Sequence, residues 1–192
     1  MGVSLSTSIR LLETKLANRP GLIDNLDLRR ILGELDRDTP IPVLTVLHVC
    51  GVSDALTAMA AAPADQASER DRVARLLACA SAMELAERME PGSLNTIELK
   101  SAIKTAERHA NGQATDEELE DAHETVFAIH MSAPTQISGS TLAISFATTP
   151  KPTNNMSAAF YALSRTIHFA AISCNQQREW QAQKLEELLA EQ

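Results

Sequence analysis

The C-terminal stretch, residues 155–192, constrains the fold more than any other part of the chain. It contains no Gly and no Pro, and it holds the only Trp and the only Tyr. The first half, from Met156 to Cys174, is apolar on most sides, whereas the second half keeps only a narrow apolar stripe at helical spacing. This gradient predicts a helix that begins inside a bundle and ends at its surface. It can be one continuous helix or two helices that break near Asn175.

The composition favours helices in the rest of the chain as well. Hydrophobic residues make up 44% of the 192 residues but aromatic residues only 3%, so the apolar content is mostly Ala and Leu. Both are strong helix formers, and a chain of this length can bury a core without disulfides. We therefore predict an all-α fold, a single domain over residues 1–192 built as a bundle of roughly seven to eight helices with a long C-terminal helix.

Helix start and stop signals divide the chain into segments. Periodic apolar residues between them predict helices near residues 8–18, 25–35, 53–62, 66–89, 95–110 and 115–133. Residues 41–49 also fit a strand, although Pro40 and Gly51 favour a helix. Residues 132–154 are rich in Ser, Thr and Pro, and a loop, a short helix within a loop and a mobile lid all fit them. We expect a mobile connection with a short helical island at Leu142 to Phe146.

Two capping boxes are the clearest local signals in the sequence. Asn95 with Glu98, and Thr115 with Glu118, have the spacing at which an N-cap side chain and a residue three positions later satisfy each other's backbone N–H. The helix after Thr115 is predicted to bury one apolar face, formed by Leu119, Ala122, Val126 and Phe127.

The outer side of that helix carries the candidate partner-binding residues. Acidic side chains suit the positive end of a helix dipole, and there is no Lys or Arg from His109 to Pro150, so this region has a negative potential. The candidate partner-binding acids are Asp116, Glu117, Glu120, Asp121 and Glu124. Trp180 is a further candidate, since an indole at a helix end either packs against the bundle edge or anchors a partner.

The charge of the chain limits the class of partner. The net charge of −8 argues against direct binding of nucleic acid or of an anionic membrane, because both need clustered Lys and Arg. A basic protein is the better match. Neither a cleavable signal nor a membrane-spanning run is expected. Cys50, Cys79 and Cys174 are odd in number and lie in apolar contexts, so buried free thiols and a cytoplasmic location are predicted.

No motif in the sequence indicates catalysis, a metal site or a cofactor. His123 and His130 are seven residues apart on nearly the same helical face. A metal site needs at least a third converging ligand, and His109 and His168 are only guesses for it. We interpret the two histidines as polar positions at a packing edge, and we do not expect an enzyme.

Four segments together resemble the alanine-rich helical immunity proteins of bacterial polymorphic toxin systems. They are GVSDAL at 51–56, ERDRVARLLACASA at 69–82, AIKTAERHANGQATDEELEDAH at 102–123 and REWQAQKLEELL at 178–189. The most specific elements are G-x-x-T-x-x-E-L from Gly112 and W-Q-x-x-x-L from Trp180. The resemblance covers residues 51–192 apart from 132–154, and it leaves residues 1–50 as helices of unassigned role.

This resemblance implies a non-enzymatic inhibitor that binds and neutralises a cognate toxin, and the acidic surface suits a basic toxin such as a nuclease. Two alternatives stay open. One is an anti-defence inhibitor of phage or mobile-element origin that mimics nucleic acid with the same acidic surface. The other is a small-molecule-binding protein or enzyme with its pocket under residues 132–154.

Overall fold

The computed structural model describes residues 5–15, 36–89, 95–150 and 177–190. Within these ranges the chain forms eight α-helices, one short 3₁₀ helix and a pair of two-residue strands. The predicted all-α multi-helix fold is confirmed. None of the described helices combines the length and apolar character needed to cross a membrane.

The elements follow the chain in a simple order. The first part contains β1 (Ser6–Thr7), α1 (Ile9–Lys15), β2 (Ile41–Pro42), α2 (Val43–Cys50), α3 (Val52–Ala60) and the 3₁₀ helix Ala64–Gln66. The second part contains α4 (Ala67–Arg88), α5 (Thr96–Ala110), α6 (Asp116–Ser132), α7 (Thr135–Thr148) and α8 (Gln177–Ala190). The predicted helix at 25–35 and the apolar run from Met156 to Cys174 lie outside the described residues.

The chain divides into two compact units. One comprises Met1–Arg70 together with Ala182–Gln192, and the other comprises Asp71–Gln181. The boundaries pass through α4 and α8, so each of these helices contributes to both units. A single domain over residues 1–192 therefore stays a prediction, and each unit is described separately below.

In the first unit, β1 and β2 form an antiparallel pair in which Thr7 lies opposite Ile41. Residues 41–49 thus contain both a strand and a helix, the two alternatives that the sequence allowed, because a two-residue strand leads directly into α2. The helix begins at Val43 rather than near Pro40, since the backbone of Pro42 is extended, with φ −59° and ψ 134°. Gly51 ends α2 as predicted, with a φ of 83° that favours glycine.

The end of α8 belongs to this first unit and buries the predicted leucine stripe. Leu185, Leu188 and Leu189 are all buried. On the exposed side, Nε2 of His48 in α2 lies 2.9 Å from Oε1 of Glu186. The predicted stripe consists of Trp180, Leu185, Leu188 and Leu189; its three leucines are buried, whereas Trp180 is half-buried.

In the second unit, α5, α6 and α7 pack against one another in every pairwise combination. Leu99 and Ile103 of α5, Leu119 of α6 and Ile144 of α7 are fully buried. The buried positions of α4 include the small residues Ala74, Ala78, Ala82 and Ala86. Small side chains let helices approach closely, as the Ala-rich composition predicts.

The prediction for residues 132–154 is wrong over its described part, because residues 135–148 form the 14-residue helix α7. Its polar residues do not break the helix, since their hydroxyls bond to carbonyls of its preceding turn. Thr148 Oγ1 donates to Ser145 O at 3.0 Å, and Thr149 Oγ1 donates to the same carbonyl at 3.1 Å. Residues 151–154 lie outside the described part.

Only one of the two predicted capping boxes forms. Thr115 Oγ1 accepts from the Glu118 N–H at 3.2 Å, and Oε2 of Glu118 accepts from the Thr115 N–H at 2.8 Å. Asn95 makes no side-chain cap bond, so the box with Glu98 is wrong. Its backbone is left-handed, with φ 44° and ψ 35°, whereas a capping box needs an extended N-cap residue.

Candidate functional site

Helix α6 presents all five predicted acids to solvent. Its first turn is fixed by the Thr115–Glu118 capping box described above. The exposed acids are Asp116, Glu117, Glu120, Asp121 and Glu124. The capping box therefore fixes the start of the helix that carries these carboxylates, and the helix dipole stabilises the two in its first turn, Asp116 and Glu117.

These acids lie on two flanks of α6 rather than on one face. At about 100° of rotation per residue, Glu120 and Glu124 share a flank with Phe127, whereas Asp121 is turned toward α5. At the helix start, Oδ1 of Asp116 lies 2.9 Å from Nε2 of His109 in α5. The flank with Glu120 and Glu124 is thus the part of the predicted surface that faces away from α5.

The α5 side of α6 borders an open groove of about 320 Å³. Across it, the Arg108 guanidinium donates to Oε1 of Glu118 at 2.9 Å. Hydrogen bonds from the Thr115 backbone N–H and from Arg108 hold the pKa of Glu118 below its ordinary value. Glu118 is thus a structural carboxylate. The groove is lined by Glu98, Ser101, Ala102, Thr105, Arg108, Glu118, Asp121, Ala122 and Thr125.

The C-terminal half of α6 carries an exposed apolar patch, which we define as Phe127 and Met131. Phe127 is 48% exposed and Met131 is 70% exposed, so the prediction that Phe127 is buried is wrong. The buried line of α6 runs through Leu119, Val126 and Ile129. Phe127 follows Val126 directly and is therefore rotated by about 100° away from the core.

The two histidines of α6 contact Phe127 of this patch, and they form hydrogen bonds to α7. The ring centroid of Phe127 lies 6.2 Å from that of His123 and 6.4 Å from that of His130. Nδ1 of His123 lies 3.1 Å from Ser145 O, and Nδ1 of His130 lies 3.1 Å from Thr141 Oγ1. Both histidines are half-buried, as expected for polar positions at a packing edge.

The hydrogen-bond network fixes the direction of these imidazole bonds. The Thr141 hydroxyl donates to Ser138 O at 3.1 Å, so its oxygen accepts from His130. The Ser145 carbonyl can only accept, so His123 also donates from Nδ1. Burial lowers the pKa of His123 from its ordinary value. In the described part of the chain, no three His, Cys, Asp or Glu side chains converge as a metal site.

Arg75 of α4 is a structural residue that sequence reasoning missed. It is only 3% exposed, and its guanidinium donates to Ala147 O, in the last turn of α7, at 2.8 Å. A cation is stabilised there by the negative end of the helix dipole. Burial lowers the pKa of Arg75, and it raises the pKa of the nearby Cys79 thiol to about 12. The signal in the sequence is an Arg inside the apolar run of α4.

Trp180 lies on a different helix from the acids. It is half-buried on α8, and the next residue, Gln181, is buried. The structure thus brings the five acids together on α6 and places beside them the apolar patch, which sequence reasoning missed. A partner-binding role for Trp180 stays a prediction.

Comparison of the chain with protein-family models, with curated proteins and with solved structures finds no match.

Proposed function

We propose that this chain is an inhibitor that binds a basic partner protein through α6, and that the partner is a bacterial toxin which the chain neutralises in the cytoplasm. The observation that carries the proposal is the exposed surface of α6. It combines carboxylates with an apolar patch, and the sequence from His109 to Pro150 contains no Lys or Arg. The resemblance to immunity proteins supports the choice of a toxin.

Electrostatics support a basic protein as the partner. A surface with one sign of charge attracts the opposite sign and raises the association rate. Carboxylates at the N-terminal half of α6 supply this attraction, and the groove beside them is also acidic, with Glu98, Glu118 and Asp121 against Arg108. A cationic face of a nuclease toxin fits such a surface.

The chemistry of the patch supports a protein rather than a small molecule. Aromatic residues and Met are enriched at the centres of protein interfaces, where polar groups form the rim. Phe127 and Met131 next to Glu120 and Glu124 reproduce that arrangement on one helix. The pocket alternative placed its cavity under residues 132–154, whereas the groove beside α6 has no lining residue from that segment.

The proposal is tested with the product of the neighbouring gene as the candidate toxin, by growth rescue and by binding of the purified proteins. We expect the triple variant Glu120→Lys, Asp121→Lys, Glu124→Lys to lose protection and to bind at least about tenfold more weakly, because repulsion replaces attraction. These positions lie beyond the first helical turn, so the helix dipole does not oppose the change. Circular dichroism should show unchanged helicity.

The matched control is Asp65→Lys, Glu87→Lys, Glu107→Lys. It changes the net charge by the same amount at exposed positions outside α6. Full protection by the α6 variant would mean that this surface does not bind the toxin. Equal loss of protection in both variants would mean that the effect comes from net charge alone. Inhibition of a host nuclease complex in place of the toxin would favour the anti-defence alternative.

A further inference from the structure

We propose that the apolar patch of Phe127 and Met131 is the anchor of this interface, and that its occupant is a basic amphipathic helix of the partner protein. The apolar side of that helix would pack on the patch, and its Lys or Arg residues would pair with Glu120 and Glu124. This inference rests on the proposed function, since it names the part of the partner that α6 binds.

The exposure of the patch sets it apart from the rest of the described surface. Among the described residues, the exposed large hydrophobic side chains are Ile97, Phe127 and Met131. Phe127 and Met131 are four residues apart on α6, so they are neighbours on the helix surface. Ile97 lies alone in the first turn of α5. An adjacent pair of exposed apolar side chains offers a contact that an isolated one does not.

Phe127 already has aromatic neighbours on its own helix before any partner arrives. Its ring centroid lies 6.2 Å from that of His123 and 6.4 Å from that of His130, and both histidines donate hydrogen bonds to α7. A side chain already held in place loses little conformational freedom on binding. Aromatic side chains, Phe among them, are enriched at the centres of protein interfaces.

Charge complementarity identifies the occupant as basic. Glu120 and Glu124 are exposed on the same flank as the patch. The region from Glu120 to Met131 spans about 16 Å at 1.5 Å per residue, or three helical turns. The backbone of α6 is already hydrogen-bonded internally, so it offers no edge to which a strand could add. A partner helix of similar length, with an apolar side and basic residues next to that side, matches both the apolar patch and the two glutamates.

The test uses a fluorescein-labelled synthetic helix of Leu and Lys as the probe, with binding followed by fluorescence anisotropy. We expect the full-length protein to bind it. Phe127→Ser with Met131→Ser should weaken binding at least about tenfold, as for other interface anchors. Glu120→Gln with Glu124→Gln should also weaken it, and should reduce its salt dependence. Ile97→Ser is the matched control, because it removes an apolar side chain that is 83% exposed elsewhere, and it should bind normally.

Three outcomes would overturn the inference. They are no binding of the probe by the unmodified protein, equal binding by the Phe127 and Met131 variant, and equal binding of a probe in which Ser replaces Leu. If Phe127→Ser with Met131→Ser loses helicity, probe binding by the single variant Met131→Ser tests the inference instead, since this side chain is 70% exposed. Failure here leaves the proposed function intact, because the toxin assay with the charge variants does not depend on the patch.

Discussion

His123 is one side chain through which we expect the stability of the second unit to depend on pH. Its Nδ1 hydrogen donates to the Ser145 carbonyl, and burial lowers its pKa from the ordinary value of 6.5. The surrounding charges include Arg75, which also lowers the pKa, and Glu120 and Glu124, which raise it. Because burial is the largest effect, the folded state disfavours the imidazolium.

The sign of the pH dependence follows from this pKa shift. The unfolded chain takes up the proton more readily, so the contribution of His123 is fully present above the unfolded pKa and is lost as the pH falls below about 6.5. We expect His123→Asn, which keeps a side-chain N–H donor but does not titrate, to lose less stability between about pH 7 and pH 5. Urea unfolding at each pH measures this. Parallel curves for the two proteins would contradict the prediction.

At the level of whole helices, the sequence predicted α6 better than α7 for a physical reason. The cap of α6 is local, since Thr115 and Glu118 satisfy each other within one turn. Helix α7 is held by α4 and α6 through bonds to Ala147 O, Ser145 O and Thr141 Oγ1. These partners are distant in the sequence, so the Ser- and Thr-rich composition indicated a loop. The exposure of Phe127 was also not predicted, because the sequence does not show which flank of a helix's apolar face is buried.

Variants at the two predicted capping boxes test whether an N-cap side chain stabilises the protein only where its hydrogen bond forms. Thr115→Ala should lower the free energy of unfolding by about 0.5–2 kcal/mol, because the backbone N–H of Glu118 loses its acceptor, Thr115 Oγ1. Asn95→Gly should change it by less than about 0.5 kcal/mol, because Asn95 makes no cap bond and glycine accepts a φ of 44° readily. Chemical denaturation of both variants provides the comparison. A larger loss for Asn95→Gly would mean that its side chain contributes after all.

For the whole molecule, composition predicted the class of fold, whereas the basic partner that the charge indicates stays a prediction. Low aromatic and high Ala content favoured closely packed helices, and eight of them occur in the described ranges. Which of the two acidic flanks of α6 faces α5 was beyond the sequence, because it depends on where α5 packs. The division into two compact units likewise arises from contacts between distant residues.

The net charge of −8 leads to a kinetic prediction for toxin binding. If opposite charges drive the encounter, the association rate should fall about tenfold or more between about 50 and 500 mM salt, with a smaller change in the dissociation rate. Stopped-flow fluorescence measures both rates. The triple variant of Glu120, Asp121 and Glu124 should show a flatter dependence. A rate independent of salt would exclude electrostatic attraction as the driving force.

The hydrogen bonds from His123 and His130 to α7 predict which substitutions a selection for loss of protection would recover. The ring of Phe127 contacts two imidazoles whose acceptors, Ser145 O and Thr141 Oγ1, belong to buried residues of α7. A substitution at Thr141 would therefore disturb the exposed patch without ever meeting the partner. A selection for loss of protection should recover α7 positions alongside those on α6, and suppressors of the α7 changes should restore the acceptor rather than alter the exposed side chains.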